Sequence, residues 1–122
     1  MRRKVLLMAL LISTAGMVAK TLETGITFKE LPYSEGTLYV AVEDDGKNVF
    51  MKGMEVEGDS VSFVVDLSGY DGKQLVIKAF QDLNDNRCLD MDTYGRPTEP
   101  CLQATFTPDP DHPTHTFRLI QY

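Results

Sequence analysis

The chain has 122 residues, of which 43% are apolar and 25% charged, enough for one folded domain with one modest core. Its formal net charge is −6. That balance argues against nucleic acid and anionic membrane surfaces as partners, because both select a basic face.

The chain starts with a basic tetrapeptide, Met1-Arg2-Arg3-Lys4. An uncharged apolar stretch follows, Val5 to Ala19, ending in small residues. This layout predicts a secretory signal peptide over residues 1–19 and a mature domain over 20–122. The stretch is shorter than the roughly 20 apolar residues that span a bilayer, so no membrane span is expected after signal removal. No cysteine lies there, which argues against a lipid anchor. A periplasmic or secreted location follows. Loss of Arg2, Arg3 and Lys4 leaves nine basic against 18 acidic residues, a net charge of −9.

Beyond the signal the apolar pattern has period two. "GTLYVAVED" sets Leu38, Val40 and Val42 against Tyr39 and Ala41. "DSVSFVVDL" aligns Val61, Phe63, Val65 and Leu67. "KQLVIKAF" sets Leu75, Ile77 and Ala79 against Val76, Lys78 and Phe80. "HTFRLIQY" alternates Phe117 and Leu119 with Arg118 and Ile120. Such alternation predicts strands buried on one face, since successive side chains point to opposite sides. Weaker strand signals lie in "ITFKEL", "NVFMKGMEV" and "CLQATFTP". Asp45-Gly46, Ser68-Gly69 and Asp71-Gly72 are turn pairs, and Pro108, Pro110 and Pro113 interrupt the chain before the last strand. About seven short strands and no helix predict an all-β antiparallel sandwich, immunoglobulin-like or prealbumin-like.

"QDLNDNRCLDMD" crowds oxygen-bearing side chains directly after the strand that ends at Phe80. Asp82, Asn84, Asn86 and Asp90 stand at relative positions one, three, five and nine. Calcium takes six to eight oxygens, and alternating Asp and Asn in a turning loop supplies them. The helix–loop–helix calcium motif also uses a backbone carbonyl at its seventh position, a Glu at its twelfth and a Gly at its sixth. Here those positions hold Cys88, Thr93 and Arg87, with no helix on either side. The expectation is a strand-bounded loop holding a structural Ca²⁺. Asp82, Asn84, Asn86 and Asp90 would be side-chain ligands, Cys88 a carbonyl ligand, and Asp92 or Glu99 an added carboxylate. The competing reading is a solvated turn, because Asp and Asn bond their own backbone.

Cys88 and Cys101, 13 positions apart, predict a disulfide in an oxidising compartment. Closing such a loop is worth about 3 kcal/mol in the chain-entropy account. The spacing is not that of a redox Cys-x-x-Cys pair.

The segment Ile77 to Pro100, "IKAFQDLNDNRCLDMDTYGRPTEP", resembles a family of small exported bacterial proteins, domain of unknown function 2141. The matching positions are Asp82, Asn84, Asn86, Leu89, Asp90, Gly95, Pro97 and Glu99. Arg87 departs from the usual small residue, and the cysteine pair is not typical. The resemblance implies a β-sandwich and export, and no reaction.

Other chemistry is thin. His112 and His115 form His-x-x-His, but two imidazoles do not make a zinc site, and a polar loop is the better reading. Asp90, Asp92 and Glu99 would need a cleft to serve as acid and base. Tyr33, Tyr39, Tyr70, Tyr94 and Tyr122 fit a binding surface or half-buried sheet edges. The sequence therefore predicts a non-catalytic binding module of the envelope, with a protein or glycan partner. The alternatives are a metal-assisted hydrolase using the same carboxylates and a structural or adhesive envelope component.

Overall fold

Alternating side chains become seven strands. The structure, a computed structural model, describes residues 22–122. The expected signal peptide over 1–19 lies outside the described residues. The strands are β1 (Glu23–Phe28), β2 (Thr37–Asp44), β3 (Lys47–Glu55), β4 (Val61–Asp66), β5 (Leu75–Asp82), β6 (Cys101–Phe106) and β7 (Thr114–Phe117). No helix interrupts them among the described residues, so none there is long and apolar enough to cross a membrane.

The strands form two sheets, β4-β1-β7 and β3-β2-β5-β6. Ile26, Phe28, Phe63 and Val65 of the first sheet meet Leu38, Val40, Val42, Leu75 and Ile77 of the second in one buried cluster. Each such side chain contributes about 1.5–3 kcal/mol by leaving water. All but Ile26 and Phe28 are residues that period-two alternation placed on one face. In an immunoglobulin constant domain the first two strands share a sheet. Here β1 and β2 lie in different sheets.

Two details correct the sequence reading. The sandwich is not wholly antiparallel, since β1 and β7 run parallel, with Gly25 opposite Thr114 and Phe28 opposite Phe117. The five strands between β1 and β7 in the chain permit this, because parallel neighbours cannot be joined by a tight hairpin. The final strand is also shorter than "HTFRLIQY". It stops at Phe117, and Ile120 then bridges Cys101 of the opposite sheet. The chain switches sheets at its end and brings Tyr122 toward the outside of the four-stranded sheet.

The Asp45-Gly46 turn forms as expected. Both residues have positive φ, 51° and 83°, the signature of a two-residue hairpin whose twist matches its strands. By contrast, the connection from β5 to β6 runs from Leu83 to Pro100, 18 residues between neighbouring antiparallel strands. Two to five residues suffice for such a hairpin, and structureless loops this long are uncommon outside functional segments.

Candidate functional site

The loop begins at a break in alternation. Gln81 and Asp82 follow Ala79 and Phe80, yet both are buried, Asp82 at 1% exposure. The Gln81 side-chain amide donates to the carbonyls of Tyr33 and Glu35, at 2.7 and 2.8 Å. Gly36 sits over the same point with φ 87°, and a Cβ there would run into the Asp82 carbonyl oxygen. The loop thus springs from a base locked against the β1–β2 connection.

A buried carboxylate must find donors, and Asp82 finds them in its own loop. Its Oδ2 accepts the Arg87 N–H at 2.8 Å and its Oδ1 the Asn86 N–H at 3.4 Å. Glu99, 5% exposed, stitches the other side, accepting the N–H of Leu83 at 2.8 Å and of Asp90 at 3.3 Å. Asn84 and Asn86 both turn their amide nitrogens to the Asp90 carboxylate, at 2.7 and 2.8 Å. Their oxygens accept the N–H of Asn86 and Cys88.

Asn84 and Asn86 thus gather at the Asp90 carboxylate, while Asp82 bonds backbone N–H groups of the loop, and N–H donors offset both charges. Asp92 stands apart. It caps the 92–96 turn, accepting from the N–H of Tyr94 and Arg96 and from Arg96 Nε. These bonds, the Arg96 N–H first, hold its carboxyl below the usual range. Gly95, with φ 79°, and Pro97, which bridges Met91, shape the return of the loop. No three His, Cys, Asp or Glu side chains gather as a metal-binding group among the described residues. As arranged, the loop presents N–H groups, not a shell of free oxygens, toward Asp90.

The expected disulfide is corrected: Cys88 and Cys101 are both free thiols. Cys88 is exposed on the loop, while Cys101 sits in the β6 ladder opposite Phe80. Burial pushes the Cys101 thiol up, away from the thiolate that exchange requires. Asp82 and Glu99 already tie the ends of the loop. The two histidines also part company. His112 is exposed and paired with Asp109 at 3.1 Å, whereas the His115 ring packs on Phe106 with centroids 5.0 Å apart.

What the loop encloses was not singled out in the sequence. A groove of about 660 Å³ lies against the outer face of the four-stranded sheet, with Arg87 and Leu89 of the loop and the terminal Tyr122 along it. Cross-strand register arranges its floor in two rows. Gly53, Tyr39, Phe80 and Cys101 form one; Met51, Ala41, Lys78 and Gln103 form the other. Four strands at about 4.8 Å spacing make that floor roughly 14 Å wide. The Tyr39 and Phe80 rings lie with centroids 5.3 Å apart. Gly53 is where Tyr39 lies down, since a Cβ there would be 2.7 Å from the tyrosine ring. The small Ala41 side chain, between Met51 and Lys78 in its row and beside the Tyr39 and Phe80 rings, lowers the floor there.

Arg87 has an unusual backbone. Its φ is 63°, the left-handed region that glycine favours. An L-residue there costs about 1–2 kcal/mol. The Asp82 hydrogen bond to the Arg87 N–H holds it in place.

Of the expected tyrosines, Tyr39 and Tyr122 line the groove, while Tyr33, Tyr70 and Tyr94 do not. The signal overlooked was Tyr39 and Phe80 both standing on the outward parity of their strands. No family model, curated protein or solved structure matches the chain. The family resemblance thus rests on the loop residues themselves.

Proposed function

We propose that the protein is an exported, non-catalytic binding module whose ligand lies in the groove on the four-stranded sheet. The observation that carries this reading is the groove itself. Its volume falls within the roughly 300–1,000 Å³ of small-molecule sites, and its lining is mainly apolar and aromatic. The loop acts as its wall, positioned through buried Asp82 and Glu99. The lack of an acid–base pair of side chains facing the hollow supports a binding role over a hydrolytic one: no Asp, Glu or His side chain is among the lining residues. Burial raises the pKa of Cys101, the one thiol in that lining. Amide chemical-shift mapping with a small set of amphipathic fragments tests the reading. Shifts should concentrate on residues 39–41, 51–53, 78–80 and 87–89. Shifts on the opposite sheet, or none, would overturn it.

Calcium in the loop is a second, separable proposal. The convergence of Asn84 and Asn86 on Asp90 favours it. Asp82, Asn84, Asn86, the Cys88 carbonyl and Asp90 would hold the ion, which would supply charge neutralisation and no chemistry. Binding would require the amides to give up their present bonds to Asp90. At an extracellular module's affinity, with free calcium near Kd, the gain is only about 0.4 kcal/mol. Calorimetric titration with calcium decides: heat that disappears in Asp90→Ala supports the ion, and no heat removes it.

A further inference from the structure

The groove differs in charge from the rest of the molecule. The chain carries 18 acidic residues and a net charge of −6. None of those carboxylates lines the groove, whereas Arg87 and Lys78 do, Lys78 from the outward row of β5 opposite Ala41. Lys52 also borders it, but pairs with inward-facing Val40 and so presents its backbone. Lys78 is partly neutralised by Glu43 at 3.2 Å. Arg87 takes part in no ion pair among the described residues. Asp82 bonds its backbone N–H, not its guanidinium. Arg87 thus lines the same apolar hollow as Tyr39, Phe80, Leu89 and Tyr122 as a cation with no ion-pair partner among the described residues.

That pairing defines a ligand class. We propose that the groove binds a small organic anion with an apolar body, its acidic group against Arg87 and Lys78 and its body over Tyr39 and Phe80. The inference rests on the groove being the binding site and adds the charge of its occupant. Arginine suits this task, because its planar fork meets an acidic group with two parallel N–H donors and is weakly hydrated. An apolar body alone would not need it. The left-handed backbone at Arg87 aims a long cationic side chain where the local conformation would prefer none, and such strain clusters at ligand sites.

The test uses the purified protein and a matched pair of probes, octanoate and octanol, each competing against 1-anilinonaphthalene-8-sulfonate fluorescence. Octanoate should bind roughly tenfold more tightly than octanol, the ratio one charge-assisted contact supplies. Arg87→Gln should abolish that preference, weakening octanoate roughly tenfold more than octanol. Ala41→Leu, which fills the floor, should weaken both probes. Equal affinity of acid and alcohol in the native protein would overturn the anion assignment and leave the groove standing. Binding of neither probe, or binding indifferent to Ala41→Leu, would overturn the groove as well. Folding of each variant is read independently from its thermal midpoint.

Discussion

The two outward faces of this sandwich are built on the same scaffold and differ in almost everything else. On the three-stranded sheet the outward positions carry no aromatic ring: Thr27, Ser62, Asp66, Thr114 and Thr116 are polar and Val64 is an exposed aliphatic, with Thr27 and Ser62 sharing a hydrogen bond at 2.9 Å. On the four-stranded sheet they include Tyr39, Met51 and Phe80 around Ala41 and Gly53, and a long loop stands over them. A solvated face needs only polar alternation. The other face carries exposed aromatic surface, a strained arginine and an 18-residue connection. Folding alone requires none of these features, so the contrast points to the face on which function sits.

The comparison breaks most sharply at Asp82. Replacement by alanine strands two N–H donors beside a buried position, and should cost about 2–3 kcal/mol. It should also detach the groove wall, so that probe binding falls with stability in a denaturant series. Thr27→Val on the plain face should stay within about 0.5 kcal/mol. If the two variants lose equal stability, the loop is not anchored as described.

At Arg87 stability and binding should move in opposite directions. Arg87→Gly relieves a left-handed L-residue and should stabilise by about 1 kcal/mol, while octanoate affinity falls. A side chain that merely decorates the loop would show the first effect without the second.

The thiols separate the loop tip from the groove floor. Alkylation followed by mass spectrometry should modify exposed Cys88 first. Octanoate should protect Cys101 and leave Cys88 untouched, since Cys101 lines the groove. Protection of both would place the ligand on the loop tip.

The smallest effect is a pH slope. Burial, with a smaller contribution from His112, lowers the pKa of His115, and its Nε2 is buried without a partner. The unfolded chain then binds a proton that the folded chain resists. Stability is full above the unfolded value of about 6.5 and falls as pH drops through it. His115→Phe should flatten the slope between about pH 7 and pH 5. Asp66, Asp92 and Asp109, whose carboxyls sit below their usual range, contribute stability that is lost only at more acid pH.

The sandwich was legible because burying one face of a strand writes a period-two pattern into the chain. Leu38, Val40 and Val42, or Leu75, Ile77 and Ala79, announce their parity directly. The strand pairing was not legible, since alternation fixes which side a residue faces and not which strand lies beside it. Hence the parallel β1–β7 pair and the early end of β7 went unforeseen. In the loop, Asp82, Asn84, Asn86 and Asp90 were expected to supply oxygens, and in the fold their side-chain oxygens accept from N–H groups. Composition does not reveal whether an oxygen will meet an ion or an N–H, because that depends on backbone paths such as the left-handed turns at Asp85 and Arg87. The groove escaped for a related reason. Tyr39, Gly53 and Phe80 come from three separate strands and become neighbours only through register.

The most direct measurement is a paired one on Arg87→Gly: thermal midpoint and octanoate affinity in the same buffer. The account predicts a higher midpoint and roughly tenfold weaker binding. An unchanged affinity, or a midpoint that falls together with it, would contradict the claim that a strained arginine is held over this face to meet an anionic ligand.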